Sequence, residues 1–435
     1  MVRFIRQPWV GTIMSNGAVV AIGMATGILT ARLLLPEGRG QLAVVLFWPN
    51  FFMGIGFLGL REAVIHRLST DKGESGQVLA SAWWLALGYV LLTYTVIYLL
   101  LPVLLGENRE GLTGFARTYA ALFLLSGFTV QYLFSIDQGR MNFGMYNLLR
   151  VLMPVTYLSG LCVLWAQGGF SVEHVALANL VSVMVVAAVR LALAPRGLFS
   201  APALKEMKAL LISGSRFYGT LLIIIVGGQA DRLVLVSAWD NVSIGLYTVA
   251  LTVASSGLYG LASGYETLIF PKMGRIEGAE AQCAFLARHL RIAMMLLTFL
   301  AVGLIGISYW MIPLIFGVEF AAASGLAVVL ILAFVPYCLR QIGIAALRGL
   351  GEAAQSTVSE TVNLAVFLMT VWPLAYYMGL MGMALAMLAG NVSALVYLFR
   401  HLQRRLGLSF RDWWGLNMST VWDLVRTGRT YVVQR

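Results

Sequence analysis

A run of about twenty apolar residues, wound as a helix at ~1.5 Å per residue, crosses the ~30 Å hydrocarbon layer of a bilayer. This sequence holds about twelve such runs, near residues 10–34, 41–63, 77–104, 115–135, 147–167, 174–194, 210–236, 243–269, 292–315, 322–340, 355–377 and 379–400. Of its 435 residues 60% are apolar and only 11% charged, against ~25% charged in soluble domains. The excess apolar surface must face lipid, which excludes a soluble fold. The expected class is an all-α polytopic membrane protein. The first run follows Arg3 and Arg6, but it is longer than the ~7 to 15 residues of a signal-peptide core and is read as a retained helix.

The 30 Lys and Arg exceed the 19 Asp and Glu by 11. In a membrane protein such an excess follows the positive-inside rule and meets anionic inner-leaflet lipids; it does not point to nucleic acid. With the N-terminus in the cytoplasm, the inner connections carry Arg67, Lys72, Arg140, the stretches Arg190 to Lys208 and Lys272 to Arg291, Arg340, Arg348 and the tail from Arg400. The outer connections carry Arg32, Arg39, Arg109 and Arg117. Both termini are therefore expected inside. Outer connections such as AQGGFSVEH and YYMGLMGM are short, leaving no extracytoplasmic domain. Cys162, Cys283 and Cys338 lie far apart without a CxxC pair, so neither a disulfide framework nor a metal cluster is expected.

The chain repeats itself. ARLLLPEGRGQLAVV from Ala31 aligns with ADRLVLVSAWDNVSIGLYTVA from Ala230, placing Arg32 on Arg232 and Gly40 on Gly245. Downstream, REAVIHRL from Arg61 aligns with YETLIFPKM from Tyr265, placing Glu62 on Glu266. Six spans per repeat, an even number, give both halves the same orientation about an axis along the membrane normal. The expected organisation is an N-terminal six-helix lobe over residues 1–200, a C-terminal lobe over 201–405 joined by PRGLFSAPALKEMK, and a tail over 406–435. In the tail, Phe410, Trp413, Trp414, Val421, Leu424 and Val425 recur at helical spacing among Arg411, Arg426 and Arg429. That pattern predicts an amphipathic helix on the anionic cytoplasmic leaflet, or one that docks onto polysaccharide assembly proteins.

TARLLLPEGRGQLAVVLFWPN, GGQADRLVLVSAWDNVSIGLYTVA and PLIFGVEFAAASGLAVVLILAF with AALRGLGEA together resemble the polysaccharide flippases of the multidrug/oligosaccharidyl-lipid/polysaccharide exporter superfamily, over residues 10–400. The resemblance implies a MATE-like architecture, two six-helix lobes around a central cavity, with no cofactor. It also implies a substrate, an undecaprenyl-pyrophosphate-linked oligosaccharide of O-antigen, capsule or exopolysaccharide type, moved from the inner to the outer leaflet of a bacterial cytoplasmic membrane. The lipid II branch carries arginines early in its first helix, whereas GAVVAIGMATGILTAR has no charge before Arg32.

No GxSxG, HExxH or Walker A motif stands in an aqueous connection, and His66, His174, His289 and His401 are scattered, so a non-enzyme is expected. A multidrug or metabolite cation antiporter of the same fold stays open, and so does a membrane glycan polymerase or ligase. A charge inside a span carries an insertion cost of ~2.5 to 3.5 kcal/mol and so faces a cavity or a partner. Arg216, Arg61, Arg232 and Arg32 are the candidate pyrophosphate contacts, because a guanidinium fork donates two parallel hydrogen bonds to phosphate oxygens. Local pairing or snorkelling is the alternative, above all for Arg32 and Arg61 near helix ends. Asn50, after Pro49, is a candidate sugar contact, or else a donor to the carbonyl that the proline leaves free. Asp231, Glu360 and Glu266 are the ion-coupling candidates. Asp231 has structural pairing as its alternative, and Glu360, with Ser356, Ser359 and Asn363 at helical spacing, has helix packing.

Overall fold

The structure, a computed structural model, describes residues 8–70, 76–168 and 170–410. Arg3, Arg6, Lys72 and the tail from Arg411, with its expected amphipathic helix, lie outside the described residues. Among the described residues the chain forms eleven α-helices: α1 Pro8–Gly56, α2 Leu60–Thr70, α3 Gly76–Leu105, α4 Thr113–Gly139, α5 Phe143–Gln167, α6 Val172–Ala192, α7 Leu204–Ala238, α8 Asn241–Met273, α9 Ala279–Phe316, α10 Ala323–Gly349 and α11 Ala353–Leu406. Ten of these, all but α2, are long and apolar enough to cross a membrane.

Two of the ten are broken into two limbs each. α1 breaks at Leu35, whose φ of 59° and ψ of 176° lie far from helical values. The cause is Pro36, which disfavours a helical conformation in the residue before it. α11 breaks at Gly379, with φ 57° and ψ −136°, a turn open to glycine because it lacks a Cβ. The breaks fall where the apolar runs were separated, at 34/41 and 377/379, so the described residues offer twelve segments of a length to cross a membrane. Most exposed Trp and Tyr side chains lie near the ends expected outside, Tyr98 on α3, Trp165 on α5, Tyr309 and Trp310 on α9, and Trp372, Tyr376 and Tyr377 on α11, while Trp84 lies near the other end, as in the aromatic belts at membrane interfaces.

The second span ends sooner than its apolar run. The chain leaves α1 at Gly56, turns through Leu58 (φ 48°) and Gly59 (φ 78°), and restarts as α2. Arg61 and Glu62 thus sit on a separate short helix. A methyl group at Gly59 would collide with the Gly214 carbonyl, so the two glycines let α2 lie close against α7.

The described residues form two compact units. The first comprises those of Met1–Thr252 with Met311–Ala323, the second those of Val253–Trp310 with Ser324–Arg435. In the first unit α4 is the central helix, and its Tyr119, Phe123, Val130 and Phe134 pack with Leu42 and Val45 of α1, Leu149 and Leu161 of α5, and Val175, Leu180 and Val183 of α6.

Two of the connections are alike. α3 and α4 are joined through Gly106 and a 3-10 turn, Glu107–Leu112; α9 and α10 are joined through Gly317 and a 3-10 turn, Val318–Phe320. The break at Leu35 corresponds to the short link between α7 and α8. Next to these two places the repeats touch inside the first unit. A Cβ on Gly40 would meet the Asn241 carbonyl, and a Cβ on Gly245 would meet the Pro36 carbonyl. The shift in numbering that carries Gly40 to Gly245 also carries Pro36 to Asn241, so the two contacts are one contact made twice.

Candidate functional site

In the first unit the end of α1, the start of α2, α4 and α7 enclose a cavity of about 220 Å³. Arg61, Glu62, Gln131 and Tyr218 give it polar walls; Met53, Phe57, Leu221 and Ile225 give it apolar ones. That is below the ~300 to 1,000 Å³ of sites that swallow a drug-sized ligand whole. The Arg61 Nη2 donates to Gln138 Oε1 at 3.2 Å. Its Nε is buried without a hydrogen-bond partner among the described residues. A buried unpaired donor costs about 1 to 3 kcal/mol. α2 is held to α7 by the Gly59–Gly214 approach and by an Arg67–Glu206 ion pair at 3.5 Å.

The other candidate residues of this unit are dispersed. Arg216 and Arg232 are exposed on α7, and neither lines the Arg61 cavity. Asp231 accepts a hydrogen bond from the Tyr247 hydroxyl at 3.3 Å. Arg32 donates through Nε to the Ile315 carbonyl at 2.7 Å and through Nη2 to the Leu314 carbonyl, satisfying carbonyls at the C-terminal end of α9. The Asn50 amide donates to the Leu46 carbonyl at 2.7 Å, one residue beyond the Val45 carbonyl that Pro49 leaves free. Arg109, in the turn between α3 and α4, plays the matching part for α7: it donates to the Val236 and Trp239 carbonyls and to Asn241 Oδ1 at 2.8 to 3.1 Å. Arg190 is not a connection residue. Its guanidinium is buried and grips both carboxylate oxygens of Asp137, at 2.8 and 2.9 Å.

In the second unit Glu360 packs against Arg340, with Nη1 and Oε1 2.7 Å apart. Arg340, assigned to an inner connection by its place in the sequence, is 1% exposed and lies within α10, with Tyr337 against its guanidinium. Glu360 Oε2, Glu266 Oε1, Ser356 Oγ and Asn391 Oδ1 are buried without hydrogen-bond partners among the described residues. Among those residues, no three His, Cys, Asp or Glu side chains are grouped to hold a metal.

The profile of the polysaccharide biosynthesis protein family matches residues 29–325. The chain belongs to that family. No curated protein sequence matches it. Among solved structures, this polysaccharide biosynthesis protein superposes on the lipid II flippase MurJ in an inward closed conformation with TM-score 0.76 and 14% identity, over 91% of this chain and 87% of that one. An inward-facing multidrug resistance MATE transporter of the MOP superfamily gives 0.70 and 18%, over 89% and 94%. A Vibrio cholerae MATE transporter gives 0.61 and 15%, over 95% and 99%. These similarities establish that the family member has the fold of MOP superfamily transporters.

Sequence reasoning about this polysaccharide biosynthesis protein passed over Gln131, Gln138 and Tyr218 beside Arg61, and Asp137 and Arg340 as members of buried ion pairs. Polar residues inside or just beyond the apolar runs of α4 and α7 were the available signal.

Proposed function

We propose that the chain is a flippase that moves an undecaprenyl-pyrophosphate-linked glycan from the inner to the outer leaflet of a bacterial cytoplasmic membrane, with both termini cytoplasmic. The carrying observation is Arg61, which with Glu62, Gln131 and Tyr218 lines a small cavity of a polysaccharide biosynthesis family member. A guanidinium holds a pyrophosphate by charge-assisted, paired hydrogen bonds at any working pH. The N-terminal lobe (residues 1–200) and the C-terminal lobe (201–405) rock by alternating access, closing the outer end through the Gly40 and Gly245 contacts. Arg216 and Arg232, exposed on α7, receive the headgroup in transit. Arg32 and Asn50 approach phosphate or sugar once the bonds to Leu314, Ile315 and Leu46 open. Glu360, Glu266 and Asp231 tune the charge balance. The account needs no enzymatic step. Polysaccharide assembly proteins at the two faces would supply and consume the glycan.

In cells that lack this protein, its glycan-lipid should accumulate in the inner leaflet, and the restored gene should clear it. Clearance that never occurs, with insertion verified, contradicts the reading. Reporter fusions after Leu105 and Gly379 should report outside, and those after Arg196 and Arg404 inside.

A cation antiporter is favoured by one observation, the buried unpartnered carboxylate oxygens of Glu360 and Glu266. Export of cationic dyes that Glu360→Gln abolishes would support that reading instead.

A further inference from the structure

In the second unit α9, α10 and the second limb of α11 enclose a groove of about 730 Å³. Each helix lends it one stripe at helical spacing, Thr298, Ala301 and Ile305 from α9, Leu332 and Leu339 from α10, and Leu388, Val392, Val396 and Gln403 from α11. Ala301, Leu339 and Phe399 form a buried floor, while Val302, Leu332, Val392 and Val396 are exposed rims. Apart from Thr298 the lining is apolar along its length except for Arg400 and Gln403 towards the end of α11, and Leu408 and Phe410, which follow that helix, also line it. Arg404 and Arg405 follow in the last turn of the same helix.

We infer that this groove holds one anionic diacyl phospholipid, its phosphate at Arg400 and Gln403 and an acyl chain against Val396, Val392 and Leu388. Length and charge both carry the assignment. Leu388 to Gln403 is about 22 Å of helix at ~1.5 Å per residue. That reaches from the membrane surface past the ~15 Å of one leaflet, as a chain anchored by its headgroup at the surface would. The groove's charge is positive and confined to one mouth, matching an amphiphile with a single anionic end; basic pockets between spans bind such headgroups, at ~1 kcal/mol per Lys or Arg. The inference is independent of the transported substrate.

Native mass spectrometry of the full chain in detergent, titrated with phosphatidylglycerol or phosphatidylcholine, tests it. One phosphatidylglycerol should be retained in preference to phosphatidylcholine. Arg400→Ala should lower its retention about fivefold, the equivalent of that ~1 kcal/mol, and Val396→Trp, which fills the groove, should abolish it while leaving thermal unfolding unchanged. Equal retention by the wild type and both variants would place the lipid elsewhere and overturn the inference. Retention that appears only after residues 411–435 are removed would make that segment the occupant. Displacement of phosphatidylglycerol by equimolar undecaprenyl phosphate would give the groove to the transported lipid. Either result also overturns the inference.

Discussion

Gly40 lies against the Asn241 carbonyl just as its counterpart Gly245 lies against the Pro36 carbonyl. The two repeats thus meet at the ends expected outside through a pair of equivalent contacts, each too close for any side chain. Overpacking of this kind costs about 1 to 3 kcal/mol, which would shift the balance away from outer closure by about 5- to 150-fold. Gly40→Ala and Gly245→Ala should each make a cysteine at the outer end more reactive to an impermeant maleimide, and to a similar degree. Reactivity unchanged in both variants would separate these glycines from closure.

The Arg190–Asp137 pair is buried on both sides. Removing one partner strands a charge and should cost about 3 to 5 kcal/mol. Arg190→Leu should therefore lower the thermal midpoint in detergent, and adding Asp137→Leu should recover much of the loss. Arg216, exposed and outside the pair, should tolerate Ala without a change in midpoint.

The twelve spans and their breaks at Leu35 and Gly379 were legible because apolar length, proline and glycine act locally. Contacts that depend on distant chain were not. Arg190 and Arg340 read as connection charges because their partners, Asp137 and Glu360, lie on other helices. Arg61 read as the end of a span because the run continues apolar to Leu60, and only the approach of Gly59 to Gly214 explains why the helix breaks there. Arg216 and Arg61 both read as cavity residues, but helix periodicity does not reveal which face of α7 meets α2.

The two ends of α11 meet: Glu352, before its first residue, accepts from Arg405 Nε at 2.6 Å and bonds His401 Nε2 at 2.7 Å, both in its last turns. The hydrogen bond with His401, then that from Arg405, holds the Glu352 carboxyl below its usual range. A depressed carboxyl contributes stability above its unfolded pKa and loses it as pH falls through the folded one. The difference in thermal midpoint between wild type and Glu352→Gln should thus vanish below the ordinary carboxylate range. A difference that persists there undiminished would contradict this clasp.

Outward movement of an anionic pyrophosphate runs down a membrane potential that is negative inside, a gain of about 2.3 kcal/mol per charge per 100 mV. An imposed potential without a pH gradient should therefore speed net flipping in proteoliposomes. Asp231→Asn should keep that response, because Asp231 is held by Tyr247. Flipping that follows the pH gradient alone, and loses that dependence in Asp231→Asn, would make Asp231 the proton site.

The most direct test follows a fluorescent undecaprenyl-pyrophosphate-linked oligosaccharide in proteoliposomes, reading its exposure to an impermeant quencher. The wild-type chain should flip it well above the protein-free rate. Loss of a charge-assisted bond worth about 1.5 to 3 kcal/mol should make Arg61→Ala about 10- to 150-fold slower, with partial recovery in Arg61→Lys. A wild-type chain no faster than empty liposomes, or an Arg61→Ala variant as fast as wild type, would contradict the account.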